Sequence, residues 1–307
     1  MKTFTLTVLG TSSAVPTSER YTSAHMLNVC EHFYLFDCGE ATQIRIRQEH
    51  LPLLKINHIF ISHLHGDHFF GLFGLLSSFQ LHGRKNDLHI YTFPELEHYI
   101  NTILLDKEKL NFQIHYHPLP TQKPELIFQD KQVTITAFPL KHRIPVCAFV
   151  VNEQPSPLKI IKEKINQYQL SIHDIIRIKN GADFITPDGR VVPNHTLTYP
   201  SPKPRKYVYC TDTLYDESII EHICYADLLY HEATFSEEHA DRAIKTMHST
   251  AKQAATIAQK AHVKKLIIGH YSVRYKDLTI LLNEARAVFQ ETYLAQEGMK
   301  IDILQTL

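Results

Sequence analysis

Four residues of types that bind metals lie within six consecutive positions of the stretch IFISHLHGDHFFGL: His63, His65, Asp67 and His68. Imidazole is the commonest metal ligand among protein side chains, and the spacing differs from the helical HExxH pattern. Gly66 permits a tight loop, which lets His63 and His65 bind one metal ion. Asp67 and His68 then turn to a second metal ion. Nitrogen and carboxylate ligands without thiolate favour Zn²⁺, with Mn²⁺ or Fe²⁺ as alternatives.

A pair of metal ions about 3.5–4 Å apart is usually clamped by a shared ligand. Asp212 is the obvious bridging carboxylate in this sequence. A water held between two such ions loses a proton near neutral pH and becomes a nucleophile. The pattern therefore predicts a hydrolase that acts on esters, amides or phosphodiesters.

The elements that must position these residues are strands, since His and Asp recur where strand-like runs end. Such residues follow six runs: Asp37, His63, His142, Asp212, His231 and His270. In layered α/β sheets the carboxyl ends of strands meet at one edge, where ligands gather. Buried imidazoles and carboxylates would carry a heavy desolvation cost there without a cation, which strengthens the prediction of a metal site.

Strand-like and helical runs are mixed along the whole chain, which predicts an α/β layered fold. The predicted strands are 4–9, 34–37, 58–62, 88–93, 133–138, 207–211, 228–231 and 266–270, and the clearest helices are 250–261 and 278–289. The sequence contains neither internal repeats nor a low-complexity tract.

Composition narrows the class of partner and the compartment. The 307 residues contain 32 Lys+Arg and 32 Asp+Glu, so a nucleic-acid partner would need a local basic patch. Five cysteines without a CxxC pair favour a reduced protein. The N-terminus lacks the apolar core of a signal peptide, and no apolar run reaches about 20 residues. We therefore expect a cytoplasmic protein that does not enter a membrane.

One region, residues 152–206, differs in composition from the rest. It holds seven prolines and the lysine-rich segment PLKIIKEKINQYQL. These features predict an insertion that leaves the compact body. Composition alone favours a solvated loop with an exposed helix.

The chain resembles the metallo-β-lactamase fold through SHLHGDHFFGL, and over nearly its full length it is similar to the ribonuclease Z family, endonucleases that trim tRNA precursor 3′ ends. The stretches that carry this resemblance are LGTSSAVPT, FDCGEATQIR, FGLFGLLSS, PLKHRIP, YCTDT, YHEATF, HSTAKQAA and GHYSVRY. The resemblance implies an αββα four-layer sandwich formed by one domain, 1–307, with a protruding flexible arm at about 152–206.

The resemblance also implies roles for individual residues. Two Zn²⁺ per subunit are expected, with Asp212 bridging two ligand sets: His63, His65 and His142, and Asp67, His68 and His270. Asp67 is also implied as the acceptor of a proton from the attacking water, and Asp37 as a partner that orients a histidine ligand. His248 is implied as the proton donor to the leaving 3′ oxygen, with Glu232 orienting or tuning it.

The implied reaction is the removal of the 3′ trailer from precursor tRNA by a metal-bridging hydroxide, which leaves a 3′-hydroxyl and a 5′-phosphate. Substrate contacts are expected from Ser272 and Arg274, and from Lys162 and Lys164 in the arm. The family resemblance further implies that the arm clamps tRNA, usually across a homodimer.

Three other functions are compatible with a histidine cluster of this kind. The first is another phosphodiesterase or arylsulfatase-type hydrolase of the same fold, for example one that cleaves cyclic nucleotides. The second is an RNA-binding or metal-binding protein without activity, and the third is a hydrolase of acyl substrates. The basic insertion favours the nuclease over the first, and the complete ligand set favours it over the second. YHEATF and HSTAKQAA disfavour the third.

Overall fold

The computed structural model describes residues 2–104 and 110–304. The described residues divide into two compact units: a larger one that extends to Asn152 and includes Lys206–Ile303, and a smaller one that contains Glu153–Arg205. None of the helices in these ranges combines the length and apolar character needed to cross a bilayer.

The strands of the described chain, numbered in order, are β1 (Phe4–Gly10), β2 (Ala24–Val29), β3 (His32–Phe36), β4 (Ile56–Phe60), β5 (Leu88–Thr92), β6 (Ile114–Pro118), β7 (Glu125–Gln129), β8 (Val133–Pro139), β9 (Cys147–Glu153), β10 (Lys159–Ile160), β11 (Phe184–Ile185), β12 (Val191–Val192), β13 (Thr198–Tyr199), β14 (Lys206–Cys210), β15 (Leu228–Glu232), β16 (Leu266–Gly269), β17 (Thr292–Leu294) and β18 (Lys300–Asp302).

The α-helices are α1 (Thr42–Gln48), α2 (Gly66–Phe69), α3 (Gly71–Leu81), α4 (Glu95–Ile103), α5 (Lys162–Tyr168), α6 (Ile172–Lys179), α7 (Asn194–Leu197), α8 (Ile220–Ile223), α9 (Ala240–Thr246), α10 (Ala251–Lys260) and α11 (Thr279–Arg286). Short 3₁₀ helices span Leu53–Lys55, Glu217–Ile219 and Glu237–His239.

Two seven-stranded sheets form the larger unit. Their strand orders are β18-β1-β2-β3-β4-β5-β6 and β17-β16-β15-β14-β9-β8-β7. In the first sheet β3 to β6 run parallel, and in the second β14 to β17 run parallel. Each sheet therefore has a parallel half whose carboxyl ends can deliver ligands.

The core between the sheets is rich in aromatic side chains. Phe36 stacks on Phe60 at 5.1 Å between ring centroids, and both contact Phe149 of the opposite sheet. Aromatic contacts of this kind add to the stability that burial alone supplies. They join the two sheets face to face.

The outer faces of both sheets are covered by helices, which gives four layers. In β14 the residues alternate: Tyr207 faces the inter-sheet core, whereas Val208 packs in the cluster that contains the alanines of α10. On the other side Leu35 of β3 packs in a cluster with Leu72 and Leu76 of α3. This arrangement confirms the predicted αββα sandwich.

Helix α10 begins with a capping box that also fixes the residues before it. The Thr250 hydroxyl accepts a hydrogen bond from the Gln253 N–H, and the Gln253 side chain accepts one from the Thr250 N–H. A reciprocal cap satisfies two of the helix's free N–H groups and defines where the helix starts. His248 therefore lies in a short, well-determined connection just before the helix.

The smaller unit has a small hydrophobic core of its own. Strands β10 and β13 pair, β11 and β12 form a hairpin, and α6 starts at a capping box between Ser171 and Asp174. The buried residues of this core are Leu170, Ile178, Phe184 and Leu197. Residues 153–205 are thus more ordered than the solvated loop that composition alone favoured.

All predicted strands and both predicted helices are present, with ends that differ by a few residues. Several elements were not predicted, among them β2 and α3. The sequence of β2, AHMLNV, does not alternate between polar and apolar residues, so no strand pattern is visible. His25 and Met26 are nevertheless both buried. In α3 the apolar residues surround most of the helix, so no amphipathic period is visible. All five cysteines are free.

Candidate metal and catalytic site

The predicted ligands converge at the carboxyl ends of strands from both sheets. Asp37 follows β3, and the HLHGDH segment follows β4 and enters the one-turn helix α2. His142 lies three residues after β8, Asp212 two residues after β14, and His270 directly after β16. The site therefore depends on both sheets.

Three imidazoles and one carboxylate form the first ligand group. The atoms of His63, His65, His142 and Asp212 that could bind a metal ion all lie within 4.8 Å of one another. His65 Nδ1 is 3.0 Å from His63 Nε2 and 3.2 Å from His142 Nε2. Asp212 Oδ2 is 3.5 Å from His63 Nε2 and 3.7 Å from His142 Nε2.

Asp67, His68 and His270 form the second ligand group. The two histidine Nε2 atoms are 3.3 Å apart, and Asp67 Oδ2 is 3.3 Å from His270 Nε2 and 3.5 Å from His68 Nε2. The backbone N–H of Ala14 donates a 2.7 Å hydrogen bond to the same Asp67 oxygen.

Asp212 faces both groups, one oxygen to each. Its Oδ2 faces the first group, whereas its Oδ1 is 3.3 Å from His68 Nε2 and 3.1 Å from His270 Nε2. A carboxylate in this position can bridge two cations.

Hydrogen bonds on the far side of three of the rings fix their tautomers. The Nδ1 atoms of His142 and His270 donate to the Met247 carbonyl at 2.8 Å and to the Thr234 hydroxyl at 2.9 Å. His63 Nδ1 lies 3.0 Å from the Ser62 hydroxyl. In each case the Nε2 lone pair is left pointing into the cluster. Partners of this kind orient metal-binding histidines in known metal sites.

Asp37 connects several of these outer bonds. Its Oδ2 accepts from His68 Nδ1 at 2.7 Å, from the Ser62 hydroxyl at 2.9 Å and from the Tyr209 hydroxyl at 2.7 Å. Asp37 and His270 both have left-handed φ values, 55° and 59°. Non-glycine residues pay a conformational cost in this region, and such residues concentrate at functional sites.

Electrostatics show that the cluster fits a cation. Burial, reinforced by neighbouring histidines, lowers the pKa of His65 and of His142 to about 4, so both rings are neutral at pH 7. Burial also opposes charge on His68, yet the carboxylates of Asp212 and Asp67 raise its pKa well above the usual range. The buried carboxylates are therefore stabilised by positive charge nearby. The imidazole nitrogens that face one another in the cluster carry too few protons to provide that charge, whereas a metal ion would. Nitrogen and oxygen donors without thiolate suit zinc.

His248 forms a third set of possible metal-binding residues with Asp212 and His270, and it also pairs with Glu232. Its Nδ1 is 3.0 Å from Glu232 Oε1 and 4.0 Å from Asp212 Oδ2. Burial disfavours the charged ring, but the two carboxylates outweigh burial and raise the pKa of His248 to about 9. At neutral pH this imidazole is therefore protonated and can donate a proton.

A cavity of about 460 Å³ opens onto the cluster. Besides the metal-binding residues, it is lined by residues that the motif analysis did not assign: Ser13, Ala14, Val15, Glu40, Phe70 and Arg143. Arg143 directly follows a predicted ligand in PLKHRIP, which is the one sequence signal that could have identified it. The others depend on how the loop after β1, the segment between β3 and α1, and the start of α3 meet the site.

Other predicted residues lie outside this cavity lining. Arg274 Nε is 3.1 Å from the Ser272 hydroxyl, and the guanidinium lies 5.2 Å from the Phe235 ring centroid. Lys162 and Lys164 belong to α5 of the smaller unit. His231 is the penultimate residue of β15, which continues to Glu232, and not its last residue as predicted. Within the described chain its Nδ1 bonds the Glu232 carbonyl, and it belongs to neither ligand group.

The prediction that Gly66 permits a tight loop is wrong. The chain enters helix α2 at this residue, and Gly66 is not among the residues with left-handed φ. Instead the Phe70 ring packs directly against the Gly66 backbone, where any Cβ would collide with it. The glycine makes room for an aromatic ring.

The sandwich and this cluster define a metal-binding protein of the metallo-β-lactamase fold. Over 98% of its length the chain is similar to human tRNase Z, short form, with a TM-score of 0.70, 29% identity and 99% of that chain covered. It is similar over 99% of its length to the ribonuclease Z of Bacteroides thetaiotaomicron, with 47% identity over 304 residues and 96% of that protein covered. The chain belongs to the ribonuclease Z family and is a hydrolase, an endoribonuclease.

Further comparisons agree on the fold. The metallo-β-lactamase fold protein YhfI of Bacillus subtilis matches 98% of this chain with a TM-score of 0.70 and 19% identity. The ribonuclease Z of Phocaeicola vulgatus is 45% identical over 305 residues, covering 99% of this chain and 98% of its own. The profile of a family described as Anti-Pycsar protein Apyc1 matches residues 4–154, slightly less than half of the chain.

Proposed function

We propose that this protein is a zinc-dependent endoribonuclease that removes the 3′ trailer from precursor tRNA, leaving a 3′-hydroxyl on the tRNA and a 5′-phosphate on the trailer. One observation carries the proposal: Asp212 presents one oxygen to each of two ligand groups, with the protonated His248 beside it. This is a site for splitting a phosphodiester between two cations and an acid.

The residues that would hold two zinc ions per chain are the two ligand groups already described, with Asp212 shared between them. When bound, the ions supply Lewis-acid activation of water and of the phosphoryl group. The chain's own residues do the remaining work of orientation and proton transfer. Mn²⁺ and Fe²⁺ accept the same donors, so metal analysis of the purified protein must identify the ion.

Asp67 is proposed as the group that accepts a proton from the attacking water. Burial would raise its pKa, but the neighbouring His68 and His270 hold the pKa well below the usual range, so the carboxylate is ionised. The Ala14 N–H fixes its Oδ2, and the residue lines the cavity. A water between Asp67 and the substrate phosphorus could therefore be oriented for in-line attack.

His248 is proposed as the acid that protonates the departing 3′ oxygen of the tRNA. Glu232 orients it through the 3.0 Å contact to Nδ1, which leaves Nε2 to face the substrate. Glu232 is itself fixed by the N–H groups of Thr213, Thr234 and Ser249. General acid catalysis of this kind typically contributes about 10²–10⁴-fold to rate.

We further propose that residues 152–206 act as a flexible arm, inserted in a single catalytic domain, that binds precursor tRNA. Residues 153–205 contain eight Lys and Arg against five Asp and Glu. Lys162 is exposed on α5, and together with Lys159, Lys179 and Tyr199 it lines a cavity of about 480 Å³ within this unit. Such a basic, partly aromatic surface suits phosphates.

The proposal extends to assembly and to the contacts of the acceptor stem. A homodimer would let the arm of one subunit hold tRNA for the site of its partner, and light scattering of the purified protein tests this. Ser272 and Arg274 are proposed to contact the acceptor stem near the scissile phosphate. The expected compartment is the cytoplasm, where precursor tRNA is found.

Cleavage-site mapping tests the function. Purified protein with zinc should cut a precursor tRNA once at the 3′ end of the mature sequence, and end-group analysis should find a 3′-hydroxyl and a 5′-phosphate. His248→Ala should keep its zinc and lose about 10²-fold or more of turnover. His98→Ala, an exposed histidine on α4, is the matched control and should keep full activity. Unchanged turnover in His248→Ala would remove this residue from the mechanism.

A second candidate function is favoured by the Apyc1 profile match, which covers β1 to β9 and hence the HLHGDH segment. It is the hydrolysis of small phosphodiesters such as cyclic nucleotides. Parallel assays with precursor tRNA, cyclic AMP and bis-p-nitrophenyl phosphate separate the two functions. Strong activity on the small esters alone would overturn the tRNA assignment.

A further inference from the structure

The cavity that opens onto the metal-binding residues contains a large exposed aromatic side chain. Phe70 lines this cavity together with His65 and Asp67, and 54% of its surface is exposed. Val15, also in the lining, is 50% exposed. Exposed apolar side chains grouped at a binding cleft indicate a ligand with an apolar surface.

The Phe70 ring is held in place by its neighbours. Its backbone N–H donates to the Gly66 carbonyl at 2.9 Å, at the junction of α2 and α3. The ring edge packs against the Gly66 backbone, and the adjacent Phe69 ring meets it at 4.9 Å in an edge-to-face arrangement. Phe69 is buried, so it anchors the exposed ring. Binding therefore costs little rotamer freedom at Phe70.

The lining of the cavity combines polar side chains, those of the ligand groups with Glu40 and Arg143, with the apolar side chains of Phe70 and Val15. A nucleotide substrate has the same combination, because a charged phosphate is joined through one sugar to a flat aromatic base. With the scissile phosphate at the metal-binding residues, a flanking base would reach the wall of the same cavity. Stacking on an aromatic ring accepts every base, which suits an enzyme whose substrates differ in sequence.

We infer that Phe70 is a stacking platform for a nucleobase that flanks the scissile phosphate. This inference rests on the proposed function, since it assumes a polynucleotide in the cavity. It also explains Gly66, whose missing side chain lets the ring lie beside the ligand loop. Phe70 would act on substrate position and on kcat/KM, without a role in proton transfer.

The test combines enzyme variants with abasic substrates. Precursor tRNA is prepared with its normal bases, and with an abasic ribose at the position just before or just after the cleavage site. Each is cut by the unmodified protein, Phe70→Leu and Phe70→Trp. The control is Tyr225→Leu, which removes an aromatic ring that is 71% exposed but lies outside the cavity lining. Zinc content and melting temperature are measured for every variant.

Phe70→Leu should lower kcat/KM on the normal substrate by about tenfold, within the range for loss of one base–aromatic stack. Phe70→Trp should retain activity, and Tyr225→Leu should match the unmodified protein. On one of the two abasic substrates, the kcat/KM of the unmodified protein should fall by a similar factor relative to the normal substrate. The kcat/KM of Phe70→Leu should be the same on that abasic substrate as on the normal one.

Additive losses with both abasic substrates would overturn the platform, as would an unchanged rate for Phe70→Leu on the normal substrate. Failure of the proposed function looks different. In that case the unmodified protein leaves precursor tRNA intact, and the platform inference falls with it.

Discussion

The proposed acid must be protonated at the pH of the reaction, and Glu232 is the group that keeps it so. Burial disfavours imidazolium at His248, but Glu232 and Asp212 raise the pKa from 6.5 to about 9. At about 1.4 kcal/mol per pH unit, this difference corresponds to a preference of about 3 kcal/mol for the charged ring. Glu232 makes the larger carboxylate contribution.

The informative perturbation is Glu232→Gln, which removes the charge and keeps the size of the side chain. The pKa of His248 should then fall from about 9 towards 6.5. A proton donor works below its pKa, so the loss should be on the alkaline side. For each unit by which this pKa falls, the alkaline limb of the kcat profile should shift by one unit towards lower pH. At pH values above the His248 pKa of both proteins, the variant should be slower by about tenfold for each unit by which its pKa has fallen.

The assay is single-turnover cleavage of precursor tRNA between about pH 6 and pH 10, with zinc content measured for each sample. The variant has a cost of its own, because Glu232 Oε2 accepts bonds from the Thr234 N–H at 2.9 Å and hydroxyl at 2.8 Å. An amide placed there leaves a buried donor unpaired, at about 1–3 kcal/mol. Stability must therefore be followed by urea unfolding. A folded, zinc-loaded variant with an unmoved alkaline limb would refute the role assigned to Glu232.

Three further predictions concern zinc binding and the stability of the folded protein at acid pH. Asp212→Ala should leave fewer than one zinc per chain by metal analysis, because both ligand groups lose an oxygen. Tyr209→Phe should weaken zinc binding about tenfold in a chelator competition, since it removes the 2.7 Å bond to Asp37; Tyr207→Phe, equally buried two residues earlier, should not. Burial and the neighbouring His89 lower the pKa of His58 to about 4, so the unfolded chain takes up a proton first as the pH falls below 6.5. The stability of the native protein should therefore drop between pH 7 and pH 5, and His58→Phe should remove about 2 kcal/mol of that drop in urea unfolding.

Each of these has a clear contrary result. Two zinc ions retained by Asp212→Ala would show that the shared carboxylate is not a ligand. Equal affinity loss in both tyrosine variants would mean that the Asp37 bond is irrelevant to zinc. An identical acid dependence in His58→Phe and the unmodified protein would show that this histidine titrates normally in the folded state.

Much of the candidate ligand set that the structure brings together could be predicted from the sequence, because strand ends are visible there. A β-branched or aromatic run followed by His or Asp marks both the strand and the point where its side chains meet the edge of the sheet. His63, Asp212 and His270 were identified in this way. His231 shows the limit of the argument: it was predicted to end a strand, but β15 continues to Glu232, and the His231 Nδ1 bonds a backbone carbonyl instead of joining the cluster.

What could not be predicted depends on distances across the fold. Tyr209 is a hydrophobic position in a buried strand by any sequence criterion, and only the packed sheets bring its hydroxyl to Asp37, 172 positions away. Phe70 resembles the other apolar residues of HFFGLFGLL, and its exposure follows from the junction of α2 and α3. Ala14 acts through its backbone N–H, which carries no signature in the side chain.

The ligands also explain why this protein needs an aromatic core. His63, His65, Asp67 and His68 follow a strand of the first sheet, whereas His142, Asp212 and His270 follow strands of the second. Neither sheet alone can surround a cation, so the site exists only while Phe36 and Phe60 remain packed on Phe149. Metal binding and sheet packing must therefore stabilise each other, because an ion that binds only the folded state adds its binding free energy to that state. A substitution in the inter-sheet core, far from any substrate, should for this reason weaken zinc binding as well as folding.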